Sequence, residues 1–428
     1  MKYQTKAVEV QSPTLRQAQG GANFRVAMLS VHSCPQGRPG TRDTGGMSIY
    51  VQNVARELGA QGLAVDIFTR SHQQASPPIM EIGHNVRLIH IPSGYNKEKL
   101  ELFSYLPDFT KAVCAFKEQE AIEYGIIHSH YWLSGWVGED LARRWRIPHV
   151  IMLHTSARAK NHHLGYSVEP EIRAETEQQV LGAANLVVAA TQSEKQDLAD
   201  FYGVDPLKIA VIPCGVDLDT FRPLLKPFAR RALNLDGLPV VLYVGRLGPE
   251  KGVEQLIEAV AIIARKRPIQ VMIVGGEDVD KGEMEHLQSL SRKLGISDLT
   301  RFHSSVEQEE LPLYYSSADV LVLPSQYETF GLVAAEALAC GLPVIASPVG
   351  AIPQLVQEGK TGFILNSSEP ADLANILARF INDENLRKRL AASARTAVTN
   401  LSWAKVAERV VEEYGMLATV AISQTQNV

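Results

Sequence analysis

A chain of 428 residues with 45% hydrophobic and 21% charged residues is too long for one comfortable core and reads as a soluble globular protein of two domains. Its formal net charge of −5 excludes a broad nucleic-acid footprint, and the short basic runs 265–267 and 387–389 read as solvated helix faces. No run approaches the ~18 apolar residues of a membrane span, and the four cysteines, Cys34, Cys114, Cys214 and Cys340, lie too far apart for a metal-ligand motif and read as reduced thiols of a cytoplasmic protein.

The first stretch, residues 1–23, lacks the apolar core of a signal peptide and reads as a loose lead-in. From Phe24 the apolar run FRVAMLSVH predicts a strand, followed by a loop rich in Gly and Pro. SIYVQNVARELGAQG then shows helical spacing and closes on Gly62. LAVDIFTR, VRLIHIP, GIIHSHYW, HVIMLHT, LVVAAT and IAVIPCG follow as strands separated by amphipathic segments. Strands this apolar predict a parallel sheet covered on both faces.

After Pro213 the pattern starts again with PVVLYVGR, IQVMIVGG, LTRFHSS, DVLVLPS, PVIASPV and GFILN. The predicted fold is α/β: two doubly wound, Rossmann-like domains, residues 24–212 and 213–402, facing each other across a cleft. The final segment, residues 403–428, begins SWAKVAERVVEEY and has no strand after it, so it is expected to pack back onto the first domain. No G-x-G-x-x-G follows any strand, which leaves a nicotinamide or flavin site unsupported.

Three strand-to-helix junctions carry candidate chemistry, because helix N-terminal amides make anion sites. In GTRDTGGMSIYVQN, Gly45 and Gly46 let backbone N–H groups approach a phosphate. In LYVGRLGPEKG, Arg246 and Lys251 follow an apolar strand and suit a diphosphate, Arg by forked hydrogen bonds and Lys as a point charge. In PSQYETFGLVAAEALACG, Glu328 falls in the loop and Glu336 on the second turn of the helix, pointing back toward its start. The amides around Thr329, Phe330, Gly331 and Leu332 complete a pocket that offers acceptors for sugar hydroxyls and donors for phosphate.

On these residues the chain resembles the retaining glycosyltransferases of family 4, which have the GT-B fold, from Arg25 to about Met416. The most specific element is the pair Glu328 and Glu336 within ETFGLVAAEALACGLPVIAS, joined to VGRLGPEKG and the Gly-Gly turn. The resemblance implies that Glu336 holds the ribose of a nucleotide sugar and Glu328 the hydroxyls of its hexose. SVHSCPQGRPGTRDTGGMSIYV and IIHSHYWLSGWVG look like the members that glycosylate inositol phosphate, with sucrose-phosphate synthases as more distant relatives. Carried over by position, an acceptor phosphate would meet Lys97, Tyr124, Thr155 and Arg173.

Two departures stand out: Ser48 replaces the usual asparagine after Gly-Gly-Met, and Met152 a threonine just upstream of His154. Both remove side-chain hydrogen-bonding capacity where acceptor hydroxyls would be read, so the expected acceptor is a phosphorylated polyol or sugar rather than inositol phosphate itself.

The implied reaction moves a hexose from a nucleoside diphosphate sugar, read as a UDP-sugar, with the anomeric configuration retained. Arg246, Lys251 and the Gly45–Gly46 amides would stabilise the departing diphosphate. His130 would touch the donor sugar and backbone near Val306 would read the base. No metal and no cofactor is called for, since two cations already neutralise the diphosphate. The partners are the donor and the small acceptor, with no nucleic acid; membrane association is not expected, and a homodimer is left open. The competing readings are a lipid-modifying transferase at a membrane, a sucrose-phosphate-synthase-like enzyme, a non-catalytic nucleotide-sugar-binding protein and an epimerase.

Overall fold

The computed structural model describes residues 24–37, 44–72, 76–95, 97–276 and 281–425, with side chains described through Thr419. The lead-in over residues 1–23 lies outside the described residues. Strands β1 (Arg25–Leu29), β2 (Ala64–Arg70), β3 (Ile79–Gly83), β4 (Val86–Ile91), β5 (Ile126–His130), β6 (His149–Met152), β7 (Leu186–Ala189) and β8 (Ile209–Val211) form one sheet. Its order is β3-β4-β2-β1-β5-β6-β7-β8.

Every pair is parallel except β3 with β4. The sequence reading missed β3 for a physical reason. IMEIG alternates exposed and half-buried residues on a sheet edge, and it lacks the continuous apolar run of a covered parallel strand.

The second sheet contains β9 (Val240–Val244), β10 (Gln270–Val274), β11 (Thr300–His303), β12 (Val320–Leu323), β13 (Val344–Ala346) and β14 (Gly362–Ile364). Its order is β11-β10-β9-β12-β13-β14, and all of its pairs are parallel. VVLYV, QVMIV and VLVL are buried at every position, as strands with helices on both faces must be. The helix Val253–Ala264, for example, turns Leu256, Ile257 and Val260 inward. One apolar core fills the second sheet and continues onto one face of the first; the other face of the first sheet has its own core.

Strand order reverses between β1 and β5 in the first sheet and between β9 and β12 in the second. In doubly wound sheets ligands sit outside the carboxyl ends of the strands at such points. The two reversal points are what set the site.

The final helix, Trp403–Thr425, returns to the first sheet. Trp403 meets the Tyr50 ring edge-on at 5.7 Å, and the Tyr414 hydroxyl shares a 2.7 Å hydrogen bond with His128 Nδ1 on β5. The outgoing and returning connections run side by side, Val216 N–H donating to Leu401 O at 2.7 Å. Gly215 is required there, because a Cβ would lie 2.5 Å from the Trp403 ring. Among the described residues no helix is long and apolar enough to cross a membrane.

Candidate active site

A cleft of about 470 Å³ lies between the carboxyl ends of the two sheets, and residues following β1, β5, β6, β9, β10 and β12 line it. Its wall on the second sheet is built largely of loop backbone and a few charged groups. After β9 the chain turns through Gly245 into Arg246, which is exposed and has no ion-pair partner among the described residues. Gly245 and Gly275 come together at the ends of β9 and β10, where a Cβ on Gly275 would fall 1.9 Å from Gly245 O. That approach brings bare backbone to the cleft floor.

Lys251 Nζ stands 2.9 Å from Glu328 Oε2, both side chains being partly exposed. Gly331, with φ +83°, turns the chain into the helix Leu332–Ala339 and leaves the amides of the first turn facing the cleft. Glu336 lies on that helix, 5% exposed, with Oε2 accepting from the Tyr315 hydroxyl at 2.7 Å. Burial pushes its carboxyl up to about 7 against the lowering effect of the Tyr315 hydrogen bond.

Gly45 and Gly46 come from the opposite sheet and close the cleft from above. A Cβ on Gly45 would meet nothing, and one on Gly46 would reach Leu332 Cδ1 across the cleft at 3.3 Å. The expected donor-side residues Gly45, Gly46, Arg246, Lys251, Val306, Glu328, Thr329, Phe330, Gly331, Leu332 and Glu336 all line this one space.

The wall on the first sheet is organised differently. Arg173, 2% exposed, donates from Nε to Glu177 Oε1 at 2.7 Å, and its Nη2 reaches Thr155 O at 2.7 Å and Thr155 Oγ1 at 3.0 Å. Its Nη1 meets Glu169 Oε2 at 2.8 Å, and the guanidinium stacks 4.7 Å over Tyr131. Lys160 Nζ holds the other Glu169 oxygen at 2.8 Å. Burial works against ionisation of Glu169, but Arg173 and Lys160 hold its carboxyl below the usual value. Lys99 and His32 complete the wall, and burial keeps the His32 imidazole neutral, with Lys99 adding to the effect.

Three expected residues stand elsewhere. His130 is fully buried one layer behind the cleft, its Nδ1 3.0 Å from His154 Nε2. Residues two apart on a strand share a face, so His130 lies with His128 on the face covered by Tyr50 and Tyr414. His154 takes the cleft position instead, with a left-handed φ of +63° that is costly for a non-glycine residue. Burial lowers its pKa to about 3, so its imidazole is neutral at physiological pH.

Tyr124 lies at the opposite, amino end of β5, donating to the buried Asp66 at 2.8 Å and stacking on Trp145. It belongs to the core. Lys97 extends 3.5 Å from Glu101 outside the lining, while Lys99, two residues on, reaches it.

Lys99, His154, Lys160 and Glu169 are thus cleft residues that the sequence reading missed. The only signal was a second lysine in NKEKL and an unassigned one in HTSARAK. Ser48 also retains a partner, its hydroxyl lying 2.5 Å from that of the cleft residue Ser33.

Residues 44–220 match the family model described as Glycosyltransferase Family 4, and residues 226–397 the one described as Glycosyl transferases group 1. The chain is 40% identical over 408 residues to a D-inositol 3-phosphate glycosyltransferase of Thermomonospora curvata, covering 91% of this chain and 95% of that one. It is 38% identical over 402 residues to the protein of the same name from Xylanimonas cellulosilytica, covering 91% and 96%. Among solved structures, sucrose-phosphate synthase from Thermosynechococcus elongatus superposes with a TM-score of 0.85 at 33% identity, over 93% of this chain and 100% of that one. Anabaena HepE in complex with UDP and glucose superposes at 0.73 with 21% identity, over 91% and 99%, and shares the fold.

Proposed function

The chain belongs to the family 4 glycosyltransferases of GT-B fold, and we propose that it transfers a hexose with retention from a UDP-sugar to a hydroxyl of a phosphorylated polyol or sugar. One observation carries this reading. Arg246 and Lys251, the Gly45–Gly46 turn and the Glu328–Glu336 pair line a single cleft from both sheets, so cations, amides and carboxylates converge on one ligand. A nucleotide sugar needs all three kinds of group.

On this reading the two loop cations and the helix amides receive the charge that builds on the departing diphosphate. Glu328 moves from Lys251 toward the hexose hydroxyls as the diphosphate takes over the ammonium. Glu336 accepts from the ribose. Neither carboxylate is placed as a free nucleophile, since Glu328 is taken up by the hexose hydroxyls once the donor is bound and Glu336 is tied to Tyr315. Departure and attack on the same face follow, with a leaving phosphate oxygen taking the acceptor proton. The neutral His154 supplies a hydrogen bond to the hexose without adding charge, and His130 fixes its ring.

Phosphate on the acceptor is supported by Lys160 and Arg173 on the facing wall, and by the acceptor in the names of the relatives. D-inositol 3-phosphate is therefore the first compound to assay, beside other polyol and sugar phosphates. The test is a matrix of nucleotide sugars against these acceptors, scored by nucleoside diphosphate release and by the anomeric configuration of the product. Lys251→Ala is expected to lower turnover by ~10²–10³, the effect of losing one group that stabilises developing charge. Turnover with unphosphorylated acceptors alone, or an inverted product, overturns the reading.

A further inference from the structure

The acceptor wall already contains an anion of its own. Glu169 precedes the helix Glu171–Ala183, and its carboxylate bridges Lys160 and Arg173, one oxygen 2.8 Å from each cation. Two oxygens shared between an ammonium and a guanidinium is the geometry a phosphate group adopts at such a pair. The side chain is 17% exposed and lines the cleft, whereas Arg173 behind it is 3% exposed. Both line the cleft, and Glu169 is the more open of the two to an anion entering from it.

Charge points the same way. Lys160 and Arg173 are balanced by Glu169 and Glu177, so this cluster of four is neutral as it stands, with Lys99 further along the wall. A phosphate monoester brings about −1.5 to −2 at neutral pH. Added to the intact cluster it creates an excess of negative charge there; with Glu169 turned away, it meets a net positive cluster.

Glu177 cannot make room, being fully buried and held by Arg173, the Tyr202 hydroxyl and the Ala157 N–H. Glu169 can. Asn161 clips the backbone around it, Oδ1 accepting from the N–H groups of Val168 and Glu169 at 2.9 Å each. The backbone is anchored, so a change of side-chain rotamer that breaks the two ion pairs is the only movement asked of Glu169.

We propose that Glu169 is a carboxylate gate over the acceptor anion site: it occupies the seat between Lys160 and Arg173 in the empty enzyme, and the acceptor's phosphate displaces it. The inference rests on the phosphorylated-acceptor reading above and adds a residue that selects for it. A neutral acceptor cannot displace the carboxylate and leaves both cations closed.

The test is calorimetric titration of inorganic phosphate into the full chain at low ionic strength, with the donor site filled by saturating UDP. Glu169→Gln is expected to bind phosphate about tenfold more tightly than the unaltered enzyme, because an ion pair no longer has to be broken. Asn161→Ala, which loosens the backbone clip, is expected to shift affinity in the same direction. Lys160→Met is expected to weaken it.

Phosphate binding that is unchanged or weaker in Glu169→Gln, in protein that unfolds at the unaltered midpoint, makes Glu169 a buttress and overturns the gate alone. Absence of phosphate binding in every form, with Glu169→Gln folded, overturns the phosphorylated-acceptor reading and the gate with it.

Discussion

Arg246 and Arg173 face the same cleft from opposite sheets and are held in opposite ways. Arg246 is exposed on the loop after β9, without an ion-pair partner among the described residues. Arg173 is 2% exposed and bound to two carboxylates and to Thr155. The donor wall keeps a cation open to solvent, where a diphosphate can take it at little cost. The acceptor wall neutralises Lys160 and Arg173, so that on the proposed reading a phosphate must exchange for the carboxylate already there. An open site favours affinity, and an exchanged one favours discrimination.

The sharpest way to break this contrast is truncation of Arg173. Glu177 is completely buried, and Arg173→Ala would leave it without its cation. Removing one partner of a buried pair is expected to cost about 3–5 kcal/mol of stability. Lys251→Ala removes a cation from a partly exposed pair with Glu328, where the expected stability change is at most about 1 kcal/mol. Denaturant unfolding of the two variants measures both. Equal midpoints would mean that Arg173 is no more structural than Lys251 and that the walls do not differ. For the same reason, lost turnover in Arg173→Ala says little about the acceptor unless folding is checked first.

The contrast also explains what could be read from the sequence. The donor wall is local: Arg246 and Lys251 share one loop, and Glu328 and Glu336 share one strand-to-helix junction. Its geometry follows from a loop, a left-handed glycine and a helix start, each legible as spacing. The alternation of apolar strands and amphipathic helices likewise gave the two doubly wound sheets. The acceptor wall joins His32 after β1 and Lys99 after β4 to His154, Lys160 and Arg173 from the long connection between β6 and β7, and these three segments come together only through the order of the first sheet. No spacing encodes that meeting. The choice between Lys97 and Lys99, or between His130 and His154, turns on which way a side chain points at the end of an element. Tyr124 was misplaced because a tyrosine just before β5 sits at the end of the sheet away from the cleft.

A second prediction sharpens the donor side through Glu336. Burial raises its folded pKa from 4.5 to about 7, so the folded chain holds an extra proton between those values. Its contribution to stability is greatest below pH 4.5 and is lost as pH rises through about 7. Ribose hydroxyls donating to the carboxylate favour the ionised form, so UDP binding near neutral pH should release a proton. Calorimetry in buffers of different ionisation enthalpy reads that proton directly. Glu336→Gln should abolish the Glu336-dependent share of the release and weaken UDP by roughly 1.5–3 kcal/mol, the worth of hydrogen bonds to a charged group. Identical proton release in both proteins would take Glu336 away from the ribose. Acceptor-side phosphate binding should not change, because Glu336 lies on the other wall.

The smallest expected effect concerns the layer beneath the acceptor wall. The Tyr414 hydroxyl, carried by the last helix, is bonded to His128, whose ring lies 4.4 Å from that of His130. His130 in turn holds His154 at the cleft. The last helix therefore supports the imidazole proposed to meet the hexose, although it follows the second sheet in sequence. Tyr414→Phe keeps the ring that packs on Phe24 and removes only the hydroxyl. Loss of one net hydrogen bond should cost about 1 kcal/mol of stability. If the histidine layer also positions His154, kcat should fall severalfold while UDP affinity stays unchanged, because Arg246, Lys251 and Glu336 do not depend on that layer. A fall in stability with kcat intact would assign Tyr414 to holding the helix alone. Weakened UDP binding would show that the two walls are coupled through the returning helix and do not act separately.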